Sequence, residues 1–207
     1  MRSAPRCWLL SRPSQRTDAL AAAQPVVISL TSGRGKRFLA SGGTGSKLQA
    51  MLAGRRVLER TLAAVRASNL PWHVEDAGHA GMGDSIAAGV RATADAPAWL
   101  ILPGDLPLIQ ACTLRLIADA RVGLDAVVPV VNGERSHPVR FSARCGPESM
   151  RLTGSHGAAF VVQTWGATLW PVADKGCVMD IDTLDDLRKA ERLLVARIVK
   201  SVGVGRF

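Results

Sequence analysis

Short apolar runs alternate along the chain with segments whose apolar residues recur at helical spacing. Strands are predicted at "PVVISLT", "AWLILPGD", "DAVVPVV", "RSHPVRF" and "ATLWPVA", because such runs are short and rich in β-branched residues. Helices are predicted at "VLERTLAAV", "DSIAAGVRATA", "TLRLIADAR" and "LDDLRKAERLLVARIV", with Asp84 or Ser85 as the expected N-cap of the second. This alternation predicts an α/β fold with a mostly parallel sheet and helices on both faces.

Length and composition are those of one folded domain. The 207 residues are 47% hydrophobic and have a mean hydropathy of +0.14, enough for a sizeable core. No apolar run approaches the roughly 20 residues that a membrane span needs, and "CWLL" is too short for the apolar part of a secretion signal. We expect a flexible N-terminal extension at residues 1–24, one domain at 25–199 and a C-terminal tail at 200–207.

The net charge of +9 does not predict a nucleic-acid-binding face. Residues 1–37 carry seven Lys or Arg and one acidic residue, and residues 197–207 carry three Lys or Arg and none, so residues 38–196 hold 16 of each sign. Aromatic residues amount to only 4%, too few for base-stacking platforms. The four cysteines are widely spaced, which favours a reduced, cytoplasmic protein without structural zinc.

The first predicted strand runs directly into glycines and cations, in "TSGRGKRF". The spacing fits neither a dinucleotide fingerprint, since Phe38 stands at the third glycine, nor a Walker A loop, since Ser46 precedes Lys47 instead of following it. What remains is a glycine-rich loop that carries Arg37 and then Lys47, and two cations beside flexible backbone donors suit a triphosphate. The alternative is a solvated turn with ordinary surface cations.

Acidic residues lie at two other predicted strand or helix ends. Asp105 ends the apolar strand in "LILPGDLP", at the sheet edge where α/β proteins bind ligands, and a lone carboxylate there suits Mg²⁺. Asp180 and Asp182 alternate around Ile181, which would place both carboxylates on one side of a short strand. The alternatives are a turn residue for Asp105 and N-caps of the last helix for the other two.

The motifs together resemble the molybdenum cofactor nucleotidyltransferases, the molybdopterin guanylyl- and cytidylyltransferase-like enzymes. "LTSGRGKRF", "GMGDSIAAGV", "LPGDLP", "VVPVVNGERSHPVRF" and "DIDTLDDL" occur in this family's order, over roughly Val26 to Leu194. The resemblance implies a Rossmann-like three-layer nucleotidyltransferase fold. It also implies Mg²⁺-dependent transfer of a nucleotide from GTP or CTP to the phosphate of molybdopterin, with release of pyrophosphate and no covalent enzyme intermediate.

The resemblance also assigns roles by position. It implies that Arg37, Lys47 and Asp105 are catalytic, that Asp105 and Asp182 hold the metal, and that His137 and Pro138 border the acceptor. The residues it implies for nucleotide binding are Leu30, Thr31, Ser32, Gly33, Arg34, Gly35, Lys47, Ser85 and Gly104. The implied partners are the NTP, a molybdopterin-type acceptor and molybdoenzyme maturation proteins.

Three departures from the family pattern leave other functions open. Thr31 and Ser32 replace the usual small residues, and "FLASGGTGS" lengthens the loop between Arg37 and Lys47. Segment 66–81 is expected to lack a strand and helix of the family, which would narrow the sheet. One rival is therefore a non-catalytic nucleotide-binding relative, and another is a nucleotidyltransferase that acts on a different phosphorylated small molecule.

Overall fold

The computed structural model describes residues 24–33, 35–120 and 123–203. The expected N-terminal extension lies outside these residues apart from Gln24. None of the helices in the described ranges combines the length and the hydropathy of a membrane span. The last helix continues to Gly203, into the segment expected to be a tail.

The elements follow one another as alternating strands and helices. The strands are β1 Val26–Leu30, β2 Met51–Leu52, β3 Arg55–Arg56, β4 Trp72–Glu75, β5 Ala98–Pro103, β6 Ala126–Val131, β7 Glu134–Arg135, β8 Val139–Ser142 and β9 Ala167–Pro171. The α-helices are α1 Lys36–Ala40, α2 Val57–Ala67, α3 Met82–Ala92, α4 Ala111–Ala118, α5 Gly146–Ser149, α6 Ala159–Trp165 and α7 Leu184–Gly203. Short 3₁₀ helices lie at Lys47–Gln49, Ala143–Cys145 and Lys175–Val178.

The central sheet has the strand order β4-β1-β5-β8-β6-β7, and β9 also pairs with β6. Strand β1 pairs in parallel with β4 and β5, and β6 pairs in parallel with β9. Only β7 and β8 run against the others, because both pair antiparallel with β6. The prediction of a mostly parallel α/β sheet is therefore confirmed.

Both faces of the sheet are buried, which explains why its central strands are apolar throughout. On one face Ile28 and Trp99 pack with Ile86 of α3, and on the other Val27 and Leu100 pack with hydrophobic residues of α2 and α4. A third cluster joins Phe38, Leu48 and Ile181. It fixes the loop after β1 against the chain entering α7, at the carboxyl edge of the sheet.

The expectation that segment 66–81 lacks a strand is wrong. Residues Trp72–Glu75 form β4, which pairs with β1 along its length and is the edge strand on that side of the sheet. Its side chains are exposed at Trp72 and half-buried at His73 and Val74, so the run carries neither a fully apolar nor a cleanly alternating pattern. The sheet is not narrowed at this position.

Candidate active site

The glycine-rich loop after β1 (residues 31–47, hereafter the glycine loop) is held by one buried apolar residue near its middle and another just after its end. Phe38 of α1 is 2% exposed and Leu48 is 4% exposed. Gly35 adopts φ 56°, ψ 28°, a left-handed conformation that residues with a Cβ rarely adopt, and it begins α1. The Ser46 side chain accepts a hydrogen bond from the Leu48 amide, which caps the 3₁₀ helix that carries Lys47. Phe38 and Leu48 thus hold Arg37 and Lys47 at the carboxyl edge of the sheet.

The turn after β5 is fixed against the end of β1. The Gly104 amide donates to the Leu30 carbonyl at 2.8 Å, and the buried Thr61 hydroxyl donates to the Gly104 carbonyl at 2.9 Å. The Ile181 amide donates to the Asp105 carbonyl at 3.0 Å. This bond joins the turn to residues 179–183, so Asp105 and Asp182 lie side by side despite their separation in sequence.

Lys47 lies between these two carboxylates. Its Nζ is 2.5 Å from Asp105 Oδ2 and 2.7 Å from Asp182 Oδ1. The three side chains are only 11–14% exposed. Arg37 contacts the other oxygen of Asp182, Oδ2, at 2.5 Å, but its own side chain is 76% exposed. The four charged residues singled out from the sequence therefore form one network.

The network shifts the proton affinities of its members. Burial alone would lower the pKa of Lys47, but its ion pairs and hydrogen bonds with Asp105 and Asp182 raise it. Burial would raise the pKa of Asp182, whereas hydrogen bonds from Lys47 and Asp180 and the positive charges of Lys47 and Arg37 lower it. Lys47 and Asp182 are accordingly charged at neutral pH.

Asp180 behaves differently from its neighbour. Burial, a hydrogen bond with Asp182 and the negative charges of Asp182 and Asp105 raise its pKa to about 6. The strand expected at Asp180–Asp182 does not form, although the buried Ile181 between them still anchors the segment. Thr183 is the N-cap of α7, and its hydroxyl accepts a hydrogen bond from the Asp186 amide at 3.2 Å.

The carboxylates suit a hard divalent cation. Asp105 Oδ1 is buried and has no hydrogen-bond partner among the described residues, so one oxygen is left for a further ligand. No group of three or more His, Cys, Asp or Glu side chains in the described ranges is arranged to hold a metal ion. A cation here would take two protein carboxylates and complete its shell with phosphate oxygens and water, which is the pattern that Mg²⁺ favours.

A cavity of about 310 Å³, hereafter the first cavity, opens beside this network. Of the sequence-predicted residues, it is lined by Leu30, Ser32, Gly33, Lys47, Ser85, Gly104 and Asp105. The hydroxyls of Ser32 and Ser85 are 2.9 Å apart, which joins the glycine loop to α3. Most of the residues expected around the nucleotide therefore share one cavity.

Other predicted residues lie elsewhere. Thr31 turns away from the first cavity, because its amide and its hydroxyl both donate to the Glu75 carbonyl, at 3.0 and 3.1 Å. Arg37 and Asp182 stand beside the cavity, joined to it through Lys47. Gly35 lies 3.6 Å from the Lys47 stem, measured from where a Cβ would be. Arg34 is outside the described residues.

His79, on the wall of the first cavity, was not singled out from the sequence. Its Nε2 lies 3.0 Å from Glu75 Oε1, and His73 Nε2 lies 3.3 Å from Oε2 of the same carboxylate. Burial would raise the pKa of Glu75, but the hydrogen bonds from both histidines and the Ala77 amide lower it. Glu75 is therefore ionised and fixes one edge of the His79 ring.

Helix α3 begins at the cavity, earlier than the sequence suggested. Its N-cap is Gly81, so the expectation of Asp84 or Ser85 is wrong. Asp84 instead accepts a hydrogen bond from the Gly154 amide at 3.0 Å, and the Gly83 amide donates to the Gly154 carbonyl at 2.8 Å. These bonds bring Ser155 to the cavity wall. The sequence around Ser155 has no motif or periodicity that indicates a binding role. Its place on the cavity wall is therefore evident only from the folded structure.

We predict that Gly83→Ala lowers stability and nucleotide affinity together. An added Cβ would lie 2.7 Å from the Thr153 carbonyl oxygen, a backbone atom that cannot rotate away. Overpacking of this kind costs about 1–3 kcal/mol, more than the gain in helix propensity. Thermal unfolding and calorimetric titration with GTP and CTP measure both effects. The matched control for stability alone is Gly33→Ala, where the nearest atom would be 3.8 Å away; equal stability of the two variants would contradict the prediction.

A second cavity, of about 360 Å³, adjoins the first and shares Met82 with it. Its polar lining includes His137, Arg135 and Gln163, and its apolar lining includes Val128 and Val162.

Burial lowers the pKa of His137 in spite of the negative charge of Asp105, so the imidazole is neutral at pH 7. Its Nδ1 is buried without a hydrogen-bond partner among the described residues. Pro138 is buried and lines neither cavity.

Comparison with known proteins identifies one family model. A model described as a MobA-like NTP transferase domain matches residues 63–169, which is more than half of the 207 residues. Ser85, Gly104, Asp105 and His137 fall within the match, whereas the glycine loop and Asp182 lie outside it. A search of curated proteins found no match.

Solved structures share the fold. Rv0371c from Mycobacterium tuberculosis H37Rv superposes with a TM-score of 0.68 at 23% identity, over 84% of this chain and 100% of that one. The same protein in complex with manganese superposes with a TM-score of 0.63 at 22% identity, over 82% and 98%. Molybdopterin-guanine dinucleotide biosynthesis protein A from Archaeoglobus fulgidus gives a TM-score of 0.62 at 19% identity, over 83% and 99%.

Proposed function

Because the chain belongs to the MobA-like NTP transferase domain family and is thus a nucleotidyltransferase, we propose that it transfers a nucleotide from GTP or CTP to the phosphate of molybdopterin. The observation that carries the proposal is the convergence of Arg37, Lys47, Asp105 and Asp182 beside the first cavity. An acceptor phosphate oxygen would attack the α-phosphorus. The bond from that phosphorus to the bridging oxygen of the β-phosphate would break, and pyrophosphate would leave with the electron pair.

Asp105 and Asp182 are the residues proposed to hold Mg²⁺. When bound, the cation would neutralise charge on the α-phosphoryl group and on the departing pyrophosphate. The unpartnered Asp105 Oδ1 supports this assignment. A divalent cation is further supported by the manganese complex of the Mycobacterium tuberculosis protein.

The chain's own cations complete the stabilisation of the triphosphate. Lys47 stands on the cavity wall, and Arg37 is close enough to pair with Asp182 at 2.5 Å. Charge that develops on the leaving pyrophosphate would be stabilised by these two cations. Catalysis would then rest on positioning and electrostatics, and the acceptor phosphate is the nucleophile without a covalent enzyme intermediate.

The second cavity is proposed to receive the acceptor. It borders the first cavity at Met82, and His137 connects it electrostatically with Asp105. Among the described residues, its lining contains no carboxylate, and the exposed Arg135 is part of it. An anionic acceptor is therefore favoured over a cationic one.

The walls of the second cavity favour a ring system over a polyol as the acceptor. Val128, Val139 and Val162 line it together with Met82, beside the polar side chains of Arg135, Ser136, His137, His156 and Gln163. Hydroxyls of a sugar phosphate that lie against the apolar side chains would be left without partners. A heteroaromatic acceptor such as a pterin buries its faces there and uses only its edge for hydrogen bonds, for which His137 and Gln163 are available. This distinction supports molybdopterin over another phosphorylated small molecule.

The test is pyrophosphate release from the purified protein with GTP or CTP, Mg²⁺ and molybdopterin. The proposal expects release only when the nucleotide, the acceptor and the metal are all present, with one nucleotide preferred. A non-catalytic nucleotide-binding relative would bind NTP without releasing pyrophosphate. Release with a sugar phosphate in place of molybdopterin would leave the enzyme class intact and reject the acceptor.

We predict that Arg135→Gln weakens use of the acceptor without affecting the nucleotide. Arg135 lines only the second cavity, so the KM for molybdopterin should rise by roughly tenfold while the KM for the NTP stays unchanged. Steady-state kinetics with each substrate varied in turn provide the measurement. The matched control is Arg188→Gln, an exposed cation on α7 that pairs with Asp185. A raised KM for the NTP in the Arg135 variant would assign this residue to the nucleotide instead.

A further inference from the structure

The Lys47 ammonium engages the same two carboxylates that are proposed to hold the divalent cation. Its Nζ contacts Asp105 Oδ2 at 2.5 Å and Asp182 Oδ1 at 2.7 Å. Lys47 is 8% exposed as a residue, and the carboxylates are nearly as buried. A buried charge of this kind cannot be left without a counter-charge at low cost.

A divalent cation and this ammonium would compete for those oxygens. Mg²⁺ binds carboxylate oxygens at about 2.0–2.1 Å and needs near-octahedral space around it, which an ammonium between the two carboxylates would fill. The two positive charges would also repel each other strongly in a site that excludes most of the solvent. Both cations therefore fit only if one of them moves.

Lys47 has a place to move to. Its aliphatic stem runs along the glycine loop, with Cγ 3.6 Å from the Cβ position of Gly35 and Cε 3.8 Å from that of Gly33. Lys47 and Gly33 both line the first cavity. Rotation about the last bonds of the side chain would carry the ammonium towards the cavity, while buried Leu48 keeps the backbone in place.

We propose that Lys47 is an exchangeable counter-ion: it pairs with Asp105 and Asp182 until a divalent cation takes these carboxylates, and it then turns to the triphosphate. The inference rests on the proposed nucleotide and metal sites, and it adds that binding at one site affects binding at the other. Metal alone binds weakly because it must displace Lys47, and triphosphate alone binds weakly because Lys47 remains engaged. Metal and nucleotide consequently bind with positive cooperativity. Arg37, which holds the other oxygen of Asp182, keeps that carboxylate oriented during the exchange.

The first experiment follows the chemical reactivity of Lys47 in the wild-type protein. Reductive methylation needs access of the reagent to the amine, so a lysine whose side chain is 11% exposed and whose ammonium is held between two carboxylates reacts slowly. Mg²⁺ alone is expected to increase the methylation of Lys47, measured by peptide mass spectrometry, and further addition of CTP or GTP is expected to decrease it again. Lys175, which is exposed, is the internal control and should react equally in all samples.

The second experiment measures Mn²⁺ affinity without nucleotide, by calorimetry. Lys47→Met removes the competing ammonium and keeps the length of the aliphatic stem, so Mn²⁺ should bind roughly tenfold or more tightly than to the wild type. Arg37→Met is the matched control for general electrostatics. It removes a positive charge from the same Asp182 but leaves the ammonium in place, and it should produce a much smaller change.

The outcomes separate this inference from the proposed function. Metal binding that needs Asp105 but leaves Lys47 protected from methylation would overturn the exchange and leave the proposed metal site standing. Metal binding that is unaffected by Asp105→Asn, with or without nucleotide, would overturn both. Increased reactivity of Lys47 on addition of Mg²⁺, together with tighter Mn²⁺ binding by Lys47→Met, supports the exchange.

Discussion

Asp105→Asn is expected to fold normally and to lose Mg²⁺-dependent pyrophosphate release by about 100-fold or more. The substitution keeps the shape of the side chain but removes its negative charge and replaces one carboxylate oxygen with an NH₂ group, which cannot bind a cation. One of the two oxygens contacts Lys47 and the other is buried without a partner, so both would be affected. Steady-state rates across a range of Mg²⁺ concentrations, together with thermal unfolding, provide the measurement.

Asp95→Asn is the matched control for this substitution. Asp95 is exposed in the turn before β5, away from the residues that line either cavity, and its variant should behave as the wild type. Folding of Asp105→Asn is expected to survive because Lys47 retains Asp182 as a counter-ion. Wild-type turnover in a folded Asp105→Asn protein would remove this residue from the mechanism.

The fold was predictable because its central strands are buried on both faces. Runs such as Val26–Leu30 and Ala98–Pro103 have no solvent face, so they read as continuous apolar segments. Strand β4 was missed because it lies at the sheet edge and carries Trp72, His73 and Glu75, which interrupt the apolar pattern. His73 pairs with Glu75 of the same strand, and Trp72 contacts the Arg66 guanidinium. The α/β fold, the family and the nucleotidyltransferase class predicted from the motifs are confirmed.

The candidate site was predictable in its residue types and not in its contacts. Asp105 and the glycine loop could be placed at one edge because both follow parallel strands. The pairing of Lys47 with Asp182 spans 135 positions and depends on Ile181, Leu48 and Phe38 packing in one cluster. The contribution of Ser155 likewise depends on backbone contact with the glycines that begin α3. No local pattern encodes such contacts, and the roles of these residues in binding stay predictions.

Lys47→Ala is expected to weaken GTP and CTP binding by similar factors, up to about a hundredfold, and Arg37→Ala by about tenfold. Both nucleotides carry the same triphosphate, so the loss should not depend on the base. The larger effect belongs to Lys47 because its side chain is 11% exposed, whereas that of Arg37 is 76% exposed and its charge is screened by solvent.

A comparison of triphosphate and monophosphate affinities tests whether Lys47 and Arg37 act on the β- and γ-phosphates. CMP and GMP lack the β- and γ-phosphates, so the two substitutions should reduce their affinity much less than that of CTP and GTP. Calorimetric titration in the presence of Mg²⁺ measures all four ligands, and Lys189→Ala, an exposed lysine on α7, is the control. The competing interpretation of residues 31–47 as a solvated turn expects unchanged triphosphate affinity in both variants. Because Lys47 is buried between two carboxylates on a cavity wall, its substitution separates the two interpretations more sharply than that of Arg37.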